Sequence, residues 1–255
     1  QLPYFSIKDT VESIYKIMKL NLGLFLHSDI IGFTTYETNF LYTVLLSLLL
    51  KQKKPDVCII YGGPHVSQHR NAAKLVLKST AADKIVIGEG EKAFLKLILA
   101  HGRKDNPPIP GVMSYDKRKD IFEYQEGIPE EVSCLPCPDF SIFRTKKRPF
   151  FELPLYSSRG SIFKCSFCNE WKQFYPFRQL EYKKVIENMK WLNKKYNTIR
   201  FSFADSLMNS SLDWLDRFAS ELLRQKLDLQ WGGFFRGEMR ENLLRKLKAS
   251  GLSFA

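Results

Sequence analysis

Short apolar runs and amphipathic stretches alternate along most of this chain, and that alternation restricts what it can fold into more than any other feature. Residues 29–34, 56–61 and 84–87 read as strands, and 39–50, 71–77 and 91–100 read as the helices between and after them. An earlier helix is expected over 9–20, with Asp9 and Glu12 as a capping pair and Val11, Ile14 and Met18 on one face. Strand followed by helix followed by strand implies a parallel sheet with helices laid on its faces, an α/β architecture of doubly wound type. The pattern resumes at 151–156 and continues through a helix over 181–196, a strand over 198–203 and a helix over 212–225. A strand over 229–234, a helix over 241–249 and a strand beginning at 252–254 complete it.

The two alternating stretches are separated by a segment of different character. Pro107, Pro108 and Pro110 break the helical pattern, and 111–115 with 121–124 flank a Lys117-Arg118-Lys119-Asp120 turn that reads as a hairpin. The expected organisation is a first domain over 1–105, a linker with a hairpin over 106–150, and a second domain over 151–255. The longest apolar stretch, 40–50, has about half the ~20 residues needed to cross a bilayer and is read as a buried helix. No signal peptide is read at the N-terminus, and five cysteines, an odd number, suit a reducing compartment better than a disulfide framework. The expected location is therefore the cytoplasm. The net charge of +12 is spread over several short basic clusters without an interleaved aromatic stripe, which favours solvated helix faces over a nucleic-acid surface.

One segment carries chemistry. Arg159-Gly160-Ser161-Ile162-Phe163-Lys164-Cys165-Ser166-Phe167-Cys168 follows the strand at 151–156 directly. A cysteine at 161 would complete C-x-x-x-C-x-x-C, in which three thiolates hold three irons of a 4Fe-4S cube. The chain has serine there, whose hydroxyl does not reach its anionic form near neutral pH as a thiol does. Gly160 permits a tight backbone and Phe167 offers an aromatic face between the two thiols.

On these residues the chain resembles the radical S-adenosylmethionine enzymes, and its flanking segments resemble the cobalamin-binding subgroup. The flanking segments are Tyr61-Gly62-Gly63-Pro64-His65-Val66-Ser67, Ile87-Gly88-Glu89-Gly90-Glu91, Leu135-Pro136-Cys137-Pro138-Asp139-Phe140 and Phe201 to Asn209. The resemblance implies a Rossmann-like cobalamin-binding domain followed by the first half of a (β/α) partial barrel. It implies a 4Fe-4S cluster at Cys165 and Cys168, with Ser161 at the position of the missing first cysteine. S-adenosylmethionine is expected near Phe167, Asp205, Asn209 and Arg236, and cobalamin near Thr34, Gly62, Gly63, His65, Gly88, Glu89, Gly90 and Glu91. His65 is placed in the turn without being assigned to cobalt, and the D-x-H-x-x-G sequence that some relatives use for that ligand is absent.

The same resemblance implies cleavage of S-adenosylmethionine to a 5'-deoxyadenosyl radical, or methyl transfer, on an unknown substrate, with a flavodoxin or ferredoxin as electron donor. Compared with that family the chain is expected to be incomplete at both ends, and its half barrel to be completed by sequence or a partner outside it. Two other readings stand beside this one. A relative that keeps the fold without cluster chemistry would account for Ser161. A structural zinc site would use Cys134-x-x-Cys137 with Cys165-x-x-Cys168. Asp205 and Asn209 would alternatively cap a helix, and Cys58 within Val57-Cys58-Ile59-Ile60 reads as core packing.

Overall fold

The computed structural model describes Glu12, Lys16 and residues 22–67, 70–103, 107–143, 150–168, 170–237 and 239–254. The helix expected over 9–20 lies outside the described residues apart from Glu12 and Lys16. The chain divides into two compact units, 1–129 and 130–255.

The first unit is built on a five-stranded sheet in sequential order: β1 (Ile30–Thr34), β2 (Cys58–Gly62), β3 (Lys84–Val86), β4 (Val112–Asp116) and β5 (Ile121–Tyr124). β1, β2 and β3 pair in parallel, whereas β4 and β5 join antiparallel. The hairpin expected in a linker therefore belongs to this sheet. Its first strand pairs with β3, whose outer backbone groups would otherwise lack ladder partners.

Alternation along β2 sends side chains to both faces. Ile59 and Tyr61 join one core with Leu46 and Leu50 of α1 (Phe40–Lys53) and Ala73, Val76 and Leu77 of α2 (Arg70–Ser79). Ile60 joins another with Ala93 and Leu97 of α3 (Glu91–Ala100). Helices thus cover both faces, but no reversal of strand order, the mark of a doubly wound sheet, occurs among the described residues. The buried Tyr61 hydroxyl donates to Ser47 Oγ at 2.8 Å, which satisfies a polar atom between α1 and the sheet.

The hairpin is held to α2 by a ladder of cations over rings. Arg70 lies over Tyr124 at 5.2 Å, Lys74 over Phe122 at 5.6 Å and Lys78 over Tyr115 at 5.2 Å, one helical turn apart. Lys78 also donates to Asp120 in the hairpin turn at 2.6 Å. Part of the scattered positive charge is accordingly taken up in holding two elements together.

The second unit contains a four-stranded, wholly parallel sheet in the order β11-β10-β9-β6, formed by Leu252–Phe254, Gln230–Gly232, Arg200–Phe203 and Leu153–Leu155. Helices α4 (Tyr182–Tyr196), α5 (Leu212–Arg224) and α6 (Glu241–Ala249) connect these strands in turn. Their apolar stripes meet Leu153, Leu155, Phe201, Phe203 and Trp231 in one core. Phe218 is its centre, edge-on to Phe203 and Trp231 at 5.9 and 5.1 Å and stacked on Trp214 at 5.2 Å. Ser211 caps α5 by accepting a hydrogen bond from the Trp214 N–H at 3.2 Å. Neither Asp205 nor Asn209 performs that role.

The Pro-Asp segment before the second sheet is fastened to the end of α4. Asp139 accepts hydrogen bonds from the Tyr196 hydroxyl, from Lys195 at 2.9 Å and from the Ser141 N–H at 2.9 Å. The Ser141, Tyr196 and Lys195 donors hold its carboxyl well below the usual carboxylate range.

Two outcomes follow from these contacts. Phe218→Ala removes the ring shared by three aromatic neighbours and is expected to cost ~3–5 kcal/mol in the urea unfolding of residues 130–255. Because the folded pKa of Asp139 is depressed, its stabilisation is present above the ordinary carboxylate pKa of about 4 and is lost as pH falls below it. Asp139→Asn should flatten the acid limb of a stability-versus-pH curve below about pH 4 and lower the plateau at neutral pH.

Candidate functional site

Parallel strands place their following loops at one edge of a sheet, the carboxyl edge where α/β proteins bind ligands. In the first unit Thr34 ends β1, Gly62 ends β2 and Gly88 follows β3. Gly62 O accepts hydrogen bonds from both the N–H and the hydroxyl of Thr35 at 2.7 Å, and the His65 N–H donates to Thr35 O at 3.0 Å. A side chain on Gly63, which has a φ of +90°, would meet Thr34 Cγ2 and the Thr35 backbone at 2.9 Å. Glycine is required there by the neighbouring strand rather than by an approaching ligand. The half-buried His65 ring packs against Phe40 at a tilt of 35°, 4.2 Å between centroids.

Gly88 is different. It has a φ of +83°, its N–H donates to Ser67 Oγ at 3.1 Å, and a Cβ built there would meet nothing within 4 Å. Glu89 and Gly90 continue this open turn, and Glu91 stands in the first turn of α3, where the helix dipole favours negative charge. At Gly88 the turn thus leaves backbone facing open space, with Glu89 and Glu91 beside it in the chain.

In the second unit, residues 160–177 form an excursion whose neck is a two-stranded ribbon. β7 (Ser158–Arg159) pairs antiparallel with β8 (Arg178–Gln179). Gly160 has a φ of +81°, and a Cβ there would collide with Phe174 O. The Arg178 guanidinium donates to Pro176 O at 2.9 Å, Glu130 O at 2.6 Å and Phe174 O at 3.3 Å, binding three carbonyls together at the base of the excursion.

At its tip, the Cys168 N–H donates to Cys165 O at 3.1 Å, so the two thiols are carried on a single turn, both partly exposed. Phe167 between them is 88% exposed. Ser161 is partly buried, and its Oγ accepts a hydrogen bond from the Phe163 N–H at 3.2 Å. Two thiols and one hydroxyl are therefore what the loop presents to a metal.

The other expected residues of this unit bond to the chain itself. Asp205 is 1% exposed and accepts from the Ser157 N–H at 2.9 Å, the Ser157 hydroxyl at 2.8 Å and the Ser158 hydroxyl. Burial pushes its carboxyl up, against the opposing pull of these donors. The Asn209 amide pairs with both backbone groups of Arg236, donating to its O at 2.9 Å and accepting from its N–H at 3.0 Å. The Arg236 guanidinium in turn lies 4.1 Å from the centre of the Phe163 ring.

The structure does not favour the four-cysteine zinc site. Among the described residues no three or more His, Cys, Asp or Glu side chains gather where they could hold a metal ion. Cys137 packs against the second core and burial pushes its thiol up, while Cys134 is exposed. Sequence reasoning missed the ribbon, Arg178 and the Glu170–Ser206 hydrogen bond at 3.1 Å. Arg178, two residues after the proline of Tyr175-Pro176, is the one visible signal for the neck.

No protein-family model matches the chain. It is 27% identical over 219 residues to the anaerobic magnesium-protoporphyrin IX monomethyl ester cyclase of Rubrivivax gelatinosus, covering 81% of this chain and 39% of that protein. It is 24% identical over 231 residues to an uncharacterized methyltransferase of Pyrococcus horikoshii, covering 88% and 50%. A cobalamin-dependent radical SAM methyltransferase of Streptomyces tokunonensis, TokK, is 25% identical over 176 residues, covering 64% and 25%. The chain spans half or less of the length of these relatives. In fold it is similar to the cobalamin-dependent radical enzyme OxsB, solved with aqua-cobalamin and S-adenosylmethionine, at a TM-score of 0.69 and 16% identity over 93% of this chain and 36% of that one. It is equally similar, at 0.69 and 16% identity, to the radical methyltransferase TsrM of Kitasatospora setae, over 95% of this chain and 49% of that one.

The neck generates a direct test. Gly160→Ala forces a left-handed backbone on alanine and drives its methyl into Phe174 O, a cost of at least ~1 kcal/mol. Faster tryptic cleavage at Lys164 and Lys172, with the melting of the rest of the unit little changed, is the expected result.

Proposed function

We propose that this chain, a relative of the cobalamin-binding radical S-adenosylmethionine proteins, is the part of such an enzyme that carries its cofactors. The observation that supports this most strongly is the 160–168 loop. A preformed turn bearing Cys165 and Cys168 follows the first strand of a parallel sheet, at the edge where ligands bind.

The donor set fits a cluster at two thiols and offers an oxygen for the third iron. Cys165 and Cys168 would hold the 4Fe-4S cluster with Ser161 as the remaining donor. When bound, the cluster and S-adenosylmethionine supply one-electron chemistry, and cobalamin supplies methyl-group chemistry. The chain's own residues do the rest. Arg178 closes the base of the loop, and Phe167 presents an exposed ring between the thiols. Arg236 and Asn209 border the loop after β10, where Arg236 can meet a carboxylate.

In the first unit, the open turn at Gly88, Glu89, Gly90 and Glu91 with Gly62, Gly63, His65 and Thr34 is where we place cobalamin. The space beside Gly88 supports this, since a broad flat ligand needs backbone without side chains beneath it. In finer detail we read the first unit as the Rossmann-like cobalamin domain and the second as part of a (β/α) barrel. The reaction we favour is methyl transfer or a radical-initiated change on a substrate brought to that edge, with a small redox protein as electron donor.

Iron and acid-labile sulfide per chain after anaerobic reconstitution test the reading, with Ser161→Cys and Ser161→Ala prepared alongside. Iron approaching about four per chain is expected in Ser161→Cys, with less in the unmodified chain and least in Ser161→Ala. No iron in any of the three would overturn the cluster assignment.

A further inference from the structure

Three loops of the second unit are joined in a closed circuit, and its links are specific side chains. The loop after β9 reaches the segment after β6 through Asp205, whose carboxylate takes the Ser157 N–H, the Ser157 hydroxyl and the Ser158 hydroxyl. The same β9 loop reaches the loop after β10 through Asn209, which pairs with both backbone groups of Arg236. The circuit closes where the Arg236 guanidinium lies over Phe163, within the loop that carries Cys165 and Cys168.

We propose that Asp205 is a positioning residue for the thiol-bearing loop, setting where that loop leaves the sheet, and is not itself a ligand for substrate or cofactor. Its burial leaves no approach from solvent, and its oxygens already receive three donors of the chain. Ser157 is held on both sides, because its carbonyl also accepts the Leu180 N–H at 2.8 Å at the far strand of the neck. Three residues later the chain turns through Gly160, so a shift at Ser157 or Ser158 is carried directly to Ser161 and the two thiols. A carboxylate suits the position because all three of its partners are donors. An amide in its place has one oxygen for three donors and turns an N–H₂ group toward the others. Asn209 supplies the second arm of the same device, acting through Arg236.

This inference rests on the reading of Cys165 and Cys168 as the metal-holding pair only in naming what is positioned. Its test needs no metal. Alkylation rates of individual cysteines are measured by peptide mass spectrometry on the metal-free full chain, unmodified and as Asp205→Asn, Ser158→Ala and Asn209→Leu. Cys137, which packs against the core of the same unit, reports on general loosening. In Asp205→Asn, Cys165 and Cys168 are expected to react about tenfold faster, equivalent to ~1.4 kcal/mol, with Cys137 unchanged. Ser158→Ala and Asn209→Leu should give smaller rises confined to the same two cysteines.

Unchanged rates at Cys165 and Cys168 in Asp205→Asn would overturn the proposal, as would an equal rise at all three cysteines, which marks a stability role alone. If Asp205→Asn does not fold, the two milder variants decide by the same comparison. Iron uptake by the unmodified chain, Ser161→Cys and Ser161→Ala then tests the functional reading separately. Altered thiol rates with no iron uptake would leave the positioning role intact and remove its metal.

Discussion

Parallel pairing of β6 with β9 is the constraint on which the second unit depends. The ladder runs from Leu153 opposite Phe201 to Leu155 opposite Phe203, and Ala204 extends it by donating to Leu155 O at 2.8 Å. Because the strands run the same way, the chain leaves both at one edge, and Ser157 and Asp205 emerge side by side although 48 residues separate them. Every later contact of the thiol-bearing loop presupposes that register. A slip of one residue would turn Phe201 and Phe203 out of the aromatic core and carry Asp205 away from Ser157. Core packing and loop placement are thus set by the same pairing.

The first unit applies this rule with a different consequence. Its parallel strands also deliver their loops to one edge, but the glycines there do unlike work. Gly63 is confined by Thr34 and Thr35, whereas Gly88 faces open space. Two glycine turns that look alike in sequence therefore differ: at Gly63 the absence of a side chain serves packing, and at Gly88 it leaves backbone facing open space.

Much of the fold was legible because period and length agree with burial. The α3 span from Glu91 to Ala100 and α6 from Glu241 to Ala249 match their sequence expectations at both ends, and β11 begins at Leu252 as expected. α1 runs on to Lys53 beyond the expected 50, since lysines suit a helix C-terminus and nothing between Leu50 and Lys53 stops it. The ribbon of Ser158–Arg159 with Arg178–Gln179 was not legible, because two-residue strands carry no periodicity and their pairing spans a long excursion. Sequence marks 111–124 as a hairpin but does not disclose that β4 completes the edge of β3, which makes it part of the sheet and not of a linker. Asp205 and Asn209 stood out as polar residues after a strand. Which partner each takes depends on loops 48 and 27 positions away.

Those long-range partners bear on Ser161. Many metal-binding loops take their shape from the metal, so that losing one ligand costs both the ion and the fold of the loop. Here the loop between Ser157 and Arg178 is shaped by other means. Arg178 gathers three carbonyls at its base, Asp205 holds its first residues, Gly160 supplies the left-handed turn, and Ser161 itself caps the Phe163 N–H. None of these contacts uses a thiol at 161. The side chain at that position can therefore alternate between hydroxyl and thiol while the backbone that presents Cys165 and Cys168 stays in place. On the proposed cluster reading, donor identity at 161 and loop shape are thus largely separable, since an oxygen-for-sulfur exchange changes the donor and, of these contacts, weakens only the one from the Phe163 N–H.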